Sequence, residues 1–264
     1  MAETAAAEFS EDIQRMVASL VATQRAGVGL RLVGGFRYRL LDRGVRRSVD
    51  IDYHWDGDLA AKRDELIALF GRRLLPGIRR QLGMDGSVAP ARGAGDDSAA
   101  VATVDLAFWK LGSSLGRIEI PVDILNIECA DPPAARTADG IIYRTASDAD
   151  MLESKVIAIV ARTHLEHRDL VDLYLFANHA APDAARRIRD KLARLKVGAS
   201  TIRRRLDDLE QSAGHHAKTL DALIAAQIDP PAAATLVDAG GGMAVLASVC
   251  MVLPKLLATE RPTP

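Results

Sequence analysis

Two short stretches, Gly34-Gly35 and Ser48-Val49-Asp50-Ile51-Asp52, constrain this chain more than any others. Leu30-Arg31-Leu32-Val33 reads as a short strand running into the glycine pair, and Phe36 to Leu41 reads as the start of a helix. A glycine turn that opens a helix exposes backbone N–H groups suited to phosphate. Residues 48–54 read as a second strand. Strand side chains alternate, so Ser48, Asp50 and Asp52 share one face while Val49, Ile51 and Tyr53 take the other. Two acids on one face repel each other. A hard divalent cation, which takes carboxylate oxygens, removes that cost. A phosphate cradle followed by a paired-acid strand points to metal-dependent nucleotidyl transfer.

The chain has 264 residues, enough for one large domain or two ordinary ones. With 48% hydrophobic residues it can bury a core without disulfides. Cys129 and Cys250 lie far apart with no metal-ligand spacing, and read as free thiols of a reducing compartment. The first residues carry Glu3, Glu8, Glu11 and Asp12, without the basic-then-apolar order of a signal peptide. No apolar run is long enough to span a bilayer. These features together predict a cytoplasmic protein with no membrane partner. A net charge of −1 excludes attraction of polyanions by the molecule as a whole. Charge is concentrated locally, at Arg43, Arg46 and Arg47, and again at Arg186, Arg187, Arg189, Lys191, Arg194 and Lys196. Arg203, Arg204 and Arg205 follow. Such runs are either nucleic-acid contacts or solvated helix faces beside acids such as Asp190, Asp207 and Asp208.

Phe9, Ile13, Met16, Val17 and Leu20 stand at helical spacing, so a helix over residues 7–25 opens the fold. After the strands at 29–33 and 48–54, residues 58–82 read as a helix broken or kinked at Pro76-Gly77. Residues 91–98, rich in Gly and Asp, read as a loop, and 101–108 as a strand. A turn over 110–116 leads to a strand over 117–126. Composition changes after Asp131-Pro132-Pro133. A short extended piece at 141–144 precedes Ser147, a good N-cap with Asp150 three residues on. Helices are then predicted at about 148–162, 167–178, 183–197, 201–213, 215–227 and 232–257, with breaks that include Pro230-Pro231 and Gly240-Gly241-Gly242. The expected architecture is α/β (α+β): a mixed sheet with flanking helices over residues 1–146, then a C-terminal helical bundle over 147–264.

A third acid is expected to join the pair. In Glu119-Ile120-Pro121-Val122-Asp123-Ile124-Leu125 the apolar face is Ile118, Ile120, Val122 and Ile124, with Asp123 on the other face beside Glu119. Asp105, also in a strand, competes for the role. Pro121 removes a ladder donor and suggests an edge position. Val33-Gly34-Gly35, then Arg46-Arg47-Ser48-Val49-Asp50-Ile51-Asp52, then Pro121-Val122-Asp123-Ile124-Leu125 resemble the first two motifs of the DNA-polymerase-β-type nucleotidyltransferase superfamily. The version here is similar to the AbiEii/AbiGii toxin-type family. Lys155, in Leu152-Glu153-Ser154-Lys155-Val156-Ile157-Ala158, resembles the lysine of its helical motif. Arg168-Asp169-Leu170-Val171-Asp172-Leu173 resembles its later basic-Asp motif. The resemblance covers about residues 30–178.

That resemblance implies a catalytic domain at 1–146, with Asp50, Asp52 and Asp123 holding Mg²⁺ or Mn²⁺ in a two-metal mechanism. It implies that Gly34, Gly35 and Ser48 receive the triphosphate of an NTP substrate, and that Lys155 neutralises phosphate charge. Asp169 stands one helical turn from Asp172, as a further catalytic acid or in pairing with Arg162 and Arg168. The implied activity is transfer of NMP to a hydroxyl on RNA, tRNA included, or on protein, by the toxin of a toxin-antitoxin pair. Its partners would be the NTP, that acceptor and an antitoxin protein. Transfer to a small molecule, and a catalytically silent nucleotide- or partner-binding module, are the alternatives. The silent reading rests on Phe36, which stands where the family has a small hydroxyl residue. His54, His164, His167 and His179 lack metal spacing, and Trp55 and Trp109 read as core or rim packing.

Overall fold

The computed structural model describes residues 2–91, 101–110, 112 and 116–258, with side chains from residue 9 onward. The loop read at 91–98 lies outside the described residues beyond Ala91, as do residues 111 and 113–115 of the turn read at 110–116. The chain divides into two compact units. The first is Met1–Ile127 with Pro133–Ala146, and the second is Glu128–Pro132 with Ser147–Pro264.

The first unit is built on a seven-stranded mixed sheet. Its strands are β1 (Arg31–Val33), β2 (Ile51–His54), β3 (Asp85–Pro90), β4 (Val101–Trp109), β5 (Ile118–Leu125), β6 (Ala134–Ala138) and β7 (Ile141–Thr145). Their spatial order is β3-β4-β5-β2-β1-β7-β6, parallel at β2/β5 and β1/β7 and antiparallel elsewhere. Helix α1 (Ala2–Thr23) lays Ile13, Val17, Ala18 and Val21 on the core, a spacing that keeps them on one helical face. Helix α2 (Gly34–Leu41) follows β1 directly. Helices α3 (Leu59–Leu69) and α4 (Leu75–Leu82) are joined by a π turn at Phe70–Leu74. Asp58 caps α3 by accepting from the Ala61 N–H at 3.0 Å. The break expected at Pro76 falls a turn earlier, because the proline ring would strike the Arg72 carbonyl and the π turn takes up that conflict. Ile51, Tyr53, Val122 and Ile124 pack into the core that contains these helices.

Two strands escaped the sequence reading, and both are sheet edges. Strand β3 is Asp-Gly-Ser-Val-Ala-Pro and β6 is Ala-Ala-Arg-Thr-Ala, with little of the β-branched and aromatic content that marks a strand. Asp139-Gly140 joins β6 to β7 as a two-residue hairpin, with φ of 50° and 76°. Conversely, Pro121 is not on an edge, since β5 lies between β4 and β2. The pairing with β2 begins only at Ile51↔Val122, so a missing donor at Pro121 leaves no β2 ladder bond unmade.

The second unit is helical: α5 (Asp148–Ala161), α6 (His167–Phe176), α7 (Ala184–Arg194), α8 (Ala199–Gln211), α9 (Ala213–Gln227), α10 (Pro230–Asp238) and α11 (Gly241–Leu257). Ser147 caps α5 through the Asp150 N–H at 3.0 Å. Residues 232–257, read as one helix, form two, because Gly240 and Gly241 take φ of 109° and 59°. Among the described residues no single helix is long and apolar enough to cross a membrane, and α10 with α11 pass that test only as a pair bent by 76°. Helix α11 turns Val245, Leu246, Val249 and Leu253 into the interior of its unit. Neither Cys129 nor Cys250 forms a disulfide.

A buried ionic cluster organises this unit. The Lys191 ammonium lies 2.6 Å from both Asp150 and Glu153, and all three are fully buried. Arg187 reaches Asp131 at 2.8 Å, Asp150 at 3.0 Å and Glu153 at 2.6 Å. The N–H groups of Ala130 and Asp131 donate to Asp150 at 2.8 and 2.9 Å, which is what attaches residues 128–132 to the helices. Burial pushes the Asp150 carboxyl up, but the bonds from Ala130, Lys191 and Asp131 outweigh it and hold the group below its ordinary value. Hydrogen bonds from Arg187 and Ser147 hold Asp131 at about 2.

Lys191→Ala leaves two buried carboxylates short of a cation, and is expected to destabilise the second unit by about 3–5 kcal/mol in urea unfolding. Asp131 has a depressed folded pKa, so its contribution is full above the ordinary 3.8 and is lost as pH falls toward about 2. Acid unfolding followed by circular dichroism is expected to steepen in that window and to flatten there in Arg187→Gln.

Candidate functional site

The site in the first unit begins with the antiparallel pairing of β1 and β2, whose register sets Val33 opposite Asp52. The residue after Val33 is Gly34, at φ 73°, and a Cβ there would overlap the Asp52 carboxylate. Gly34 is therefore required twice, for its left-handed backbone and for the space that the acid fills. The parallel pairing of β2 with β5 sets Asp52 beside Asp123. Neighbouring strands lie about 4.8 Å apart, so the two half-buried carboxylates stand side by side on one face. That face is opposite the one through which Ile51, Tyr53, Val122 and Ile124 enter the core. The Thr103 hydroxyl of β4 donates to Asp123 Oδ1 at 2.6 Å and fixes its orientation.

Asp50 is placed differently from the strand reading. Strand β2 starts at Ile51, and residues 49–50 form a bend. Val49 does not share the core face of Ile51 and Tyr53: it is 53% exposed, while Ser48 and Asp50 are buried on either side of it. The Ser48 hydroxyl donates to Asp50 Oδ1 at 2.8 Å, and Gln14 of α1 donates to the Ser48 carbonyl at 2.9 Å. This local hydrogen bonding offers the backbone an alternative to the ladder. Among the described residues no group of three or more His, Cys, Asp or Glu side chains is arranged to hold a metal ion. The donor chemistry nevertheless suits a hard cation: Asp52 and Asp123 adjoin in register, and Asp52 fills the cradle kept open by Gly34.

Around the glycines the surroundings are polar and cationic. A Cβ at Gly35 would collide with the buried Arg46 guanidinium and lie 2.9 Å from Ser48 Oγ. Val33 precedes α2 and itself supplies no side-chain cap to that helix. Helix N-terminus, guanidinium and hydroxyl thus surround Gly35, an arrangement suited to an anion. The sequence placed Arg46 in a basic cluster and within the acid motif without a role of its own, and gave Thr103 none. Both depend on pairings that the local sequence does not mark. Phe36 is fully buried in the hydrophobic core, so its side chain takes no part in the cradle. Asp105 is exposed and opposite Pro121, one strand away from the neighbour of Asp52. Glu119 is exposed and pairs with Arg117 at 2.9 Å.

Lys155 and Asp169 belong to the second unit. The Lys155 ammonium lies 2.8 Å from Asp169 and 2.9 Å from Asp172, both carboxylates being almost fully buried. Arg162 takes the other Asp169 oxygen at 2.9 Å, whereas Arg168 pairs with Glu166 at 3.8 Å. Helix spacing accounts for this: Asp169 and Asp172 lie one turn apart on α6 and converge on one lysine of α5. Much of the basic run at 186–205 is also used internally. Arg186 pairs with Asp183 and Asp190, Arg187 and Lys191 enter the buried cluster, and Arg205 donates to the Ile159 and Arg162 carbonyls. Trp55 lies under the Lys62 ammonium at 4.1 Å, as a packing group.

The chain superposes on JHP933 from Helicobacter pylori with a TM-score of 0.55 at 14% identity, over 95% of this chain and 91% of that one. It superposes on MenT4, a nucleotidyltransferase toxin from Mycobacterium tuberculosis H37Rv, with a TM-score of 0.53 at 16% identity, over 97% and 94% of the two chains. The fold is that of the nucleotidyltransferases. A further H. pylori structure, provisionally assigned as a nucleotidyltransferase, gives a TM-score of 0.56 at 16% identity over 95% and 94%. No protein-family model matches the sequence. No curated protein matches it either. Within the sheet unit of this fold lie a glycine turn and an acid pair on adjacent parallel strands.

Two expectations follow. Gly83 also has positive φ, at 62°, but nothing lies within 4 Å of a Cβ there. Gly83→Ala is expected to cost only the backbone term of about 1–2 kcal/mol, and Gly34→Ala measurably more, because it also displaces Asp52; urea titration of both variants compares them. Lys155→Ala takes the shared ammonium from two buried carboxylates and is expected to cost about 3–5 kcal/mol. An unchanged urea midpoint would contradict that role.

Proposed function

We propose that the protein is a nucleotidyltransferase that moves NMP from an NTP to a hydroxyl on RNA, tRNA included, or on protein, as the toxin of a toxin-antitoxin pair. The observation that carries the reading is the Asp52–Asp123 pair in register on β2 and β5, against a glycine turn that opens a helix. The likeness in fold to a nucleotidyltransferase toxin supports it. Asp52 and Asp123, with Asp50 behind them, would hold Mg²⁺ or Mn²⁺. A divalent metal bound there would supply charge stabilisation for the attacking and leaving oxygens of an in-line displacement.

The chain's own residues have separable tasks in this reading. The N–H groups at the start of α2, with Arg46 and the Ser48 hydroxyl, bind the triphosphate and orient it. Thr103 holds the Asp123 carboxylate in one rotamer. Lys155 contributes positive charge for the phosphates, and Asp169 with Asp172 fixes its position. Phe36 turns into the core, so in this reading the backbone N–H groups, Arg46 and Ser48 serve the phosphates without a hydroxyl at residue 36.

The test is incubation of the purified chain with each labelled NTP and Mg²⁺, offering total RNA, total protein or small-molecule acceptors in separate reactions. Label is expected in the RNA or protein pool, and Asp52→Asn and Asp123→Asn are expected to abolish it. Both variants relieve carboxylate repulsion, so metal-free melting temperatures are expected to be equal to wild type or higher. Label confined to a small molecule would select the metabolic reading. Wild-type transfer retained by Asp52→Asn would end the acid-pair assignment.

A further inference from the structure

The first unit carries a second concave site, on the helix-packed side of the sheet. Asp52 and Asp123 occupy the opposite face. A cavity of about 470 Å³ opens between α1, the π turn, α4 and the β6–β7 hairpin. That volume is within the range of small-ligand pockets. Its floor is apolar and includes Leu20, Leu74 and Tyr143. Its rim is cationic. Arg15, Arg73 and Arg80 face a single acid, Asp139. Arg15 is already engaged, with Glu11 at 2.9 Å and Asp139 at 3.2 Å, and that bond ties the hairpin turn to α1 as one wall of the cavity. Arg73 and Arg80 are exposed, and neither has an ion-pair or hydrogen-bond partner among the described residues. Arg73 and Arg80 thus bring two guanidiniums without a carboxylate partner to one cavity mouth.

The chemistry that fits combines an anionic head for two guanidinium forks, a flat body for an apolar and aromatic floor, and hydrogen-bonding edges for Ser19 and Gln81. A nucleotide has all three at this size. We propose that this cavity is a nucleotide-binding site separate from the acid pair, with its phosphate on Arg73 and Arg80 and its base over Leu20, Leu74 and Tyr143. The nucleotide arrives either free or as one unit of an RNA chain. The site does not rest on the nucleotidyltransferase reading, because none of its residues belongs to the Gly34–Asp52–Asp123 constellation.

The experiment uses the full chain and two probes: AMP, by titration calorimetry, and a fluorescein-labelled oligoribonucleotide of twelve residues, by anisotropy. Three proteins are compared: wild type, Arg73→Gln/Arg80→Gln and Asp52→Asn. The exposed arginines are not structural, and thermal melting checks that both variants are folded. The arginine variant is expected to bind at least tenfold more weakly, while Asp52→Asn keeps the site. Weakening of AMP alone identifies a free nucleotide as the ligand. Weakening of the oligoribonucleotide alone, with a log Kd–log salt slope smaller by about 0.7 for each phosphate no longer neutralised, identifies an RNA unit. Equal affinities of wild type and the arginine variant for both probes, or no binding of either probe by wild type, would overturn the proposal. Loss of transfer in Asp52→Asn with binding intact separates this outcome from any failure of the catalytic reading.

Discussion

A carboxylate occupies the space that a side chain at residue 34 would need. From this contact between Gly34 and Asp52 the arrangement of the candidate site follows. It requires that β1 end at Val33, that β2 pair with it so that Asp52 comes opposite, and that residue 34 tolerate positive φ. Once these hold, helix α2 must start at the acid, with its first N–H groups beside it. The parallel partner β5 then brings Asp123 alongside. The whole site is thus a consequence of two strand registers and one backbone conformation. A slip of one residue in either register would send the acids into the core face.

Both units bury ion pairs, as Arg37 with Asp42 in the first, but the acids of the candidate site have different neighbours. In the helical unit acids and bases are mutually satisfied at short range: Lys191 and Arg187 with Asp150, Glu153 and Asp131, and Lys155 with Asp169 and Asp172. Such clusters are costly to desolvate and costly to break, and they specify which helices come together. In the sheet unit like charges are adjacent instead, with Asp52 beside Asp123 and hydroxyls of Ser48 and Thr103 steering Asp50 and Asp123. Carboxylates on adjacent central strands repel each other, a cost that a bound hard cation would remove.

The difference also bears on how Lys155 is to be understood. Its ammonium is held by two carboxylates, so its position is fixed by α5 and α6 before any ligand arrives. Preorganised charge of this kind loses little entropy on binding. The same side chain is thus a structural member of the helical unit. Much of the basic run that follows it is consumed in the same way, as internal ion pairs and carbonyl contacts.

Local sequence determined the elements whose signals are carried by consecutive residues. The glycine turn into α2, the alternation of β4 and β5, the Ser147 cap and the apolar spacing of α1 are all short-range patterns, and each was legible. Edge strands β3 and β6 were not, because an edge pairs on one side only and tolerates Ala, Gly, Ser and Pro; the Asp139-Gly140 turn was the one local mark of the second. The acids were legible as residue types, and Asp123 was expected to join Asp50 and Asp52, but the register that brings it to Asp52 and the neighbouring hydroxyl and guanidinium were not. That Asp123 adjoins Asp52, that Thr103 donates to it, that Arg46 lies on Gly35, and that Phe36 turns into the core are decided by pairing between segments distant in sequence. Register between strands costs loop entropy and is repaid only when whole faces are buried together. Tertiary structure alone, therefore, decided which charged groups meet.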